Sequence, residues 1–511
     1  MARPGGGRVL STDGTGLLGT CPRGDQTLLE FRIDLSDRTA AFPHYWEECV
    51  GSGHALLALR EDWRRQLKRC REELGFKRVR FHGLLNDDMS VWTNDEACPY
   101  SFFNVDSIVD SLLELGMEPF IELSFMPEGL ASGSQTIFHY RGNVTPPRDY
   151  RAWGDLIRAL ARHLVDRYGV EKVRRWPFEV WNEPNLACFW AGSRDEYFRL
   201  YRAAAEAIKS VDGAIPVGGP ATARNGWIPE FIAYAETAGA PLDFVSTHHY
   251  PTDAALGHGL DMEEAMASSR RGILKEMAAK ARREAGSYPL YYTEWSSSPS
   301  SRDAYHDDPY AAAFILKTVA DNHGLVEIYS YWTFSDIFEE VYFPSLPFHG
   351  GFGLLNLHGI PKPAYHAFRL LHLLGEERLP VTVAEEGEGG TVECLATLGR
   401  EGLAAAVYNH QIPRAPIREE TVRLRVRGKP PRALAQIVRI DSEHGHPKAI
   451  WREMGSPAYL RPETVERLCA ESALRPEYLR WEWTEGEAVL EFVVPPHGVV
   501  GVFDCETWPG G

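Results

Sequence analysis

Two glutamates in this 511-residue chain occupy the same local setting. Glu183 follows the apolar run from Trp176 to Trp181 and precedes Pro184, while Glu294 ends the run that begins at Pro289 and precedes Trp295. An apolar run that stops at an acid reads as a buried strand carrying a carboxylate to its carboxyl end. Two such acids, with no HExxH or other compact ligand pair beside them, point to glycoside hydrolysis. In that chemistry one carboxylate attacks the anomeric carbon, and the other, protonated, delivers its proton to the departing oxygen.

The acids are useful only if the fold brings them together. Between residues 45 and 375 short apolar runs alternate with longer amphipathic ones in eight rounds, the pattern of a (β/α)8 TIM barrel. The runs fall near residues 48–51, 76–82, 118–125, 176–181, 215–218, 243–248, 290–294 and 327–333. Glu183 then ends strand four and Glu294 ends strand seven, at the face where barrels keep their active sites. Strand spacing and tilt place those strand ends roughly 14 Å apart. With each side chain reaching about 4 Å inward, the carboxyls are expected about 5–6 Å apart, close to the separation of retaining enzymes. Desolvation by Trp181 and Pro184, together with the charge of Glu294, is expected to raise the pKa of Glu183.

After residue 376 the chain turns to alternating segments separated by Pro, Gly and Glu clusters, which read as a C-terminal antiparallel β-sandwich with a helical insertion near 462–478. The expected division is an N-terminal extension at 1–44, a barrel at 45–375 and a sandwich at 376–511, with residues 26–33 adding a strand to the sandwich. A net charge of −17 argues against a nucleic-acid partner, which would need clustered cations to meet phosphates. Eight cysteines without a CxxC pair signal neither a zinc site nor a disulfide framework. No apolar stretch has the length of a signal peptide or a membrane span, so the expected location is cytoplasmic, with no membrane partner.

Other residues at predicted strand ends are candidates for holding a sugar. Asn182 can hydrogen-bond a 2-hydroxyl or cap the following helix. His248 and Tyr250 follow strand six, where they can orient Glu294, bind sugar or pack beneath a loop. His82 ends strand two and Trp332 ends strand eight, where its ring can stack on a pyranose face or serve as core. Glu339 and Glu340 follow on the rim as hydroxyl acceptors or as solvated surface. His248, His249, His349, Asp336 and Glu294 are a conceivable metal set, but their spacing lends it no support, and neither a metal nor another cofactor is expected.

The blocks FHGLLNDD (81–88), FMPEGLASGSQTIF (125–138), GNVTPP (142–147), WPFEVWNEPN (176–185), YWTFSDIFEE (331–340) and FHGGFGL (348–354) resemble the β-xylosidase branch of glycoside hydrolase family 39. That resemblance implies a clan-A barrel, a C-terminal β-sandwich and a retaining double displacement, with Glu183 as acid/base and Glu294 as nucleophile. It further implies sugar contacts from His82, Asn182, His248, Tyr250, Trp332, Glu339 and Glu340, with Phe189 toward the leaving group. The iduronidase branch carries a lysine where this chain has Tyr250, and the resemblance therefore favours a neutral sugar. Thr247, His249 and Trp295 depart from residues common in the xylosidase branch and bear on fine substrate choice. The expectation is an exo-acting β-D-xylosidase acting on xylo-oligosaccharides or xylosides, as a monomer or a homo-oligomer. The alternatives are a retaining glycosidase acting on arabinopyranosides, glucosides or uronides, and a carbohydrate-binding protein without activity.

Overall fold

Eight short strands, all rich in β-branched, aromatic or glycine residues, run parallel around a closed barrel. In chain order they are Val50–His54, Arg78–His82, Glu118–Leu123, Phe178–Val180, Val217–Thr222, Phe244–His249, Leu290–Trp295 and Ile328–Tyr331. The computed structural model describes residues 28–93, 95–254, 261–383, 390–428 and 432–504. Strand one begins at Val50, not residue 48, because the pairing starts where Val50 meets Val79. The shift carries His54 to the strand's carboxyl end.

Helices on the outside return the chain from the top of each strand to the bottom of the next. Their ends follow local chemistry: Gly75, at φ 76°, closes Glu61–Leu74, and a reciprocal Ser193–Glu196 capping box opens Arg194–Val211. Two helices follow strand six, Met262–Ala267 and Ile273–Ala285, the second opening at Gly272 with φ 77°.

The barrel interior is layered. At the amino-terminal end Cys49, Phe120, Phe244 and Ile328 form an apolar plug with Tyr291 packed on it. Gly218 is required there, since a Cβ would lie 2.3 Å from the Phe244 carbonyl oxygen. Two residues further along the same inward faces the composition changes to Arg80, Glu122 and Glu179, each fully buried.

Among the described residues two sheets, one of five strands and one of seven, form the sandwich. Leu28–Asp34 lies in the first, paired along its length with Glu420–Arg427, and Phe31 and Ile33 point into the core between the sheets. That pair is parallel, an exception to the antiparallel pattern. The insertion differs from the single helix expected at 462–478. It contains Pro447–Glu453 and Pro462–Glu471, both opened by proline in the first turn, and Tyr478 belongs to the strand Glu477–Arg480 paired with Leu434–Ile440. Residues 1–27, including the first two of the segment expected to join the sandwich, lie outside the described residues, as do 255–260 of the polar stretch after strand six. Among the described residues no helix is long and apolar enough to cross a membrane.

Candidate active site

Glu183 leaves strand four through a tight turn in which Trp181 and Glu183 both take positive φ, 74° and 43°. Left-handed backbone at bulky residues is costly and persists only where surrounding structure enforces it. Here the Glu183 amide donates to the Ala221 carbonyl at 2.8 Å, and the Trp181 indole donates to the Phe189 carbonyl at 2.8 Å. The turn aims Glu183 across the mouth toward Glu294. Carboxylate oxygens of Glu183 and Glu294 and a ring nitrogen of His248 all lie within 4.8 Å of one another.

Both oxygens of Glu294 are held. Arg80 Nη1 donates to Oε1 at 2.9 Å and the Tyr250 hydroxyl donates to Oε2 at 3.0 Å. The rest of the Arg80 guanidinium is occupied as well: Nε donates to Glu179 at 2.6 Å, and Nη2 donates to Asn182 Oδ1 at 3.0 Å and meets Glu122 at 2.9 Å. Burial works against this charge, but the carboxylates of Glu179, Glu122 and Glu294 more than offset it and raise its pKa. Arg80, Glu122 and Glu179 were absent from the sequence-based candidates. Their signal was present nonetheless, as charged residues inside otherwise apolar strands, with Arg80 two positions from His82 and so on the same face.

His248 links the pair. Burial lowers its pKa to about 4, so it is neutral near pH 7 and carries one ring proton. Its Nε2 lies 3.1 Å from the Thr293 hydroxyl, which donates its own proton to Glu179 at 2.9 Å. Nε2 must therefore be the protonated nitrogen, which leaves a lone pair on Nδ1, 3.0 Å from Glu183 Oε1. That contact is favourable when Glu183 carries the proton. Burial pushes the Glu183 carboxyl up to about 7, against the opposing charges of His82, Arg80 and Arg224. The principal negative neighbour adding to the shift is Glu122, where the sequence argument had placed Glu294.

The remaining candidates divide. His82 donates toward Glu122 at 2.7 Å, and its Nε2 faces Glu294 at 3.6 Å and Glu340 at 3.7 Å. Burial opposes its charge, but Glu122 and Glu294 outweigh burial and push it up to about 9. Burial also pushes Glu340 up to about 8, with Glu294 and Glu183 adding to the shift and His82 opposing it. Trp332 packs 4.8 Å from the His82 ring, over Gly51, where a Cβ would come within 2.6 Å of the indole. Phe189 contacts Phe138 with ring centroids 5.6 Å apart, on the Glu183 side. Glu339 is turned away from the pair and bound to His54 at 2.9 Å. His249 is likewise outside the site, bonded to the Tyr329 hydroxyl at 2.7 Å and stacked on Tyr292.

Among the described residues, two groups have the donor types for a cation: Glu183, His248 and Glu294, and, remote from the mouth, His44, Glu47 and His372. In the first, Arg80 and Tyr250 already direct N–H and O–H donors at both Glu294 oxygens, which makes a poor pocket for a metal. In the second, both histidines contact one Glu47 oxygen at 2.7 and 2.9 Å, which are hydrogen-bond distances.

A closed (β/α)8 barrel whose mouth holds two buried carboxylates face to face, braced by an arginine, is the scaffold of a glycoside hydrolase. Comparison with known proteins places it further: the profile described as glycosyl hydrolases family 39 matches residues 29–480. The chain belongs to that family. It is 52% identical over 480 residues to a β-xylosidase of Caldicellulosiruptor saccharolyticus, covering 93% of this chain and 98% of that protein. It is 38% identical to a β-xylosidase of Geobacillus stearothermophilus, over 84% and 86% of the two chains. The crystal structure of a monomeric β-xylosidase from Caulobacter crescentus CB15 superposes with a TM-score of 0.81 at 34% identity, covering 93% of this chain and 98% of that one.

Proposed function

We propose that this protein is a retaining, exo-acting β-D-xylosidase that removes terminal xylose from xylo-oligosaccharides or xylosides. The observation that carries the reading is the approach of Glu183 and Glu294 oxygens to within 4.8 Å, with different partners on each acid. Glu294, fixed by Arg80 and Tyr250, attacks the anomeric carbon. The bond to the glycosidic oxygen breaks, and that oxygen keeps the electron pair and takes the Glu183 proton. Xylose is then esterified to Glu294. In the second half Glu183, now a carboxylate, draws a proton from water, the water oxygen bonds to the anomeric carbon, and Glu294 leaves with its charge restored. His248 shares the proton of Glu183 between cycles through its Nδ1 lone pair.

A neutral sugar suits the pocket. Its cations Arg80 and His82 are already engaged by Glu122, Glu179 and Glu294, so no uncommitted charge faces a uronate among the described pocket residues. The two β-xylosidase relatives support the choice of xylose. Both acids belong to one chain, so a single copy suffices for the reaction. The free thiols of Cys49, Cys70, Cys98 and Cys188 fit a reducing, cytoplasmic setting.

Labelling with a 2-deoxy-2-fluoro-xyloside followed by peptide mapping tests the reading. The label is expected on the peptide carrying Glu294. Saturable xylose binding with no covalent adduct and no released sugar would instead make the protein a carbohydrate binder, and an adduct on another acid would overturn the assigned roles.

A further inference from the structure

Glu183 is on strand four, and the loop after strand eight, which carries Glu339 and Glu340, lies directly across the barrel from it. The acid must touch the glycosidic oxygen, so the leaving group departs on the strand-four side. The far hydroxyls of the bound sugar therefore face the strand-eight side, and whatever closes that side decides whether a chain can continue beyond the bound residue.

Three loops meet there. Asp88 comes from the loop after strand two, His139 and Tyr140 from the loop after strand three, and Glu339 and Glu340 from the loop after strand eight. The His139 amide donates to the Glu340 carbonyl at 3.3 Å, which joins the second of these loops to the third. Beneath all three lies His54, the last residue of strand one, with a fully buried side chain. Its Nδ1 is 2.9 Å from Glu339 Oε1. Its Nε2 is 3.2 Å from Asp88 Oδ1, close enough for charge attraction though not aligned as a hydrogen bond. The Tyr140 ring stacks on the imidazole at 3.8 Å and 11°. The Tyr140 hydroxyl is buried without a hydrogen-bond partner.

We propose that His54 is a specificity-determining positioning residue, whose ring ties Asp88, Tyr140 and Glu339 into an end wall that excludes a sugar attached beyond the bound xylose. The inference rests on the xylosidase reading and extends it, since it assigns exo-action to one clamp. Burial opposes charge on His54, while Asp88 and Glu339 favour it and raise its pKa, which adds charge attraction to the clamp. Opening it leaves the Glu183–Glu294 pair in place and lengthens the pocket.

The experiment is the first cleavage of xylotriose carrying a fluorophore at its reducing end. Exo-action on the wild-type protein releases unlabelled xylose and labelled xylobiose. In His54→Ala the share of labelled xylose, which arises only when a second sugar occupies the far side, is expected to rise at least about fivefold, while kcat/KM for an aryl xyloside falls less than about tenfold. Asp88→Asn, which removes one charge and keeps the shape, should shift the same ratio by a smaller factor. Thermal melting and near-ultraviolet circular dichroism identify variants that fold. If His54→Ala does not fold, the product ratio of Asp88→Asn decides, and an unchanged ratio in the folded variants overturns the proposal. So does a wild-type protein that already releases labelled xylose in comparable amount. A wild-type protein inert on aryl xylosides fails the xylosidase reading itself, a separate outcome.

Discussion

The two ends of one barrel are made by the same eight strands and obey different rules. At the amino-terminal end Cys49, Phe120, Phe244 and Ile328 bury apolar surface against each other. Two to four residues further along, Arg80, Glu122, Glu179, His82 and Glu294 are buried. Apolar burial stabilises by roughly 25 cal/mol per Å², whereas each buried ion costs several kcal/mol in desolvation that only well-aligned partners offset. One layer holds the barrel closed; the other is maintained at a cost because chemistry needs it. The contrast shows where a substitution should harm folding and where it should harm turnover.

The largest effect is expected at the reacting acid. Glu294→Gly should lower hydrolysis of an aryl xyloside by at least about 10³-fold while sugar binding, followed by calorimetry, persists. Arg80→Met should impair stability and turnover together. It leaves three carboxylates without their common partner, costs about 3–5 kcal/mol in denaturant titration and brings turnover below about one hundredth. Phe244→Ala, at the other end, should cost a similar 3–5 kcal/mol with kcat/KM within about twofold of wild type well below its melting temperature. Equal loss of activity in Phe244→Ala and Arg80→Met would erase the distinction between the layers.

Protons give a finer test. Glu183 must be protonated to serve the leaving group, so kcat/KM should fall as pH rises through about 7. In its folded environment Glu183 also holds a proton that the unfolded chain releases near the ordinary value of 4.5, so it contributes less stability as pH rises from 4.5 to 7. Glu183→Gln, uncharged throughout, should therefore be more stable than wild type at pH 8, by on the order of 3 kcal/mol, while proton delivery is lost. The histidines between barrel and sandwich have the opposite sign. Burial depresses His366 to about 3 and His497 to about 4, so the folded state refuses protons that the unfolded chain accepts below about 6.5. Their contribution should be complete above 6.5 and lost as pH falls toward 4, which melting curves across that range would record.

Much of the fold was legible because its signals are local. Strand and helix alternate with apolar period, and proline and glycine mark most ends, as at Gly75 and Pro309. Where boundaries slipped, local pattern was silent. Strand one was read two residues early because Val50, Gly51, Ser52 and Gly53 lack an apolar alternation, and that slip concealed His54. The helix expected through Tyr478 failed because strand pairing with Leu434–Ile440 outweighs local helix preference. The parallel seat of Leu28–Asp34 likewise depends on residues almost four hundred positions away.

By itself the sequence determined the alternation that makes a barrel and the two strand ends that carry Glu183 and Glu294, since both are written within a few consecutive residues. Only the tertiary structure decided what each acid touches. Arg80 reaches Glu294 across 214 positions and His54 reaches Glu339 across 285, and such contacts are set by how closed strands aim their side chains. The protonation of Glu183, Glu340 and His248 was decided in the same way, because desolvation exists only once the chain has packed around them.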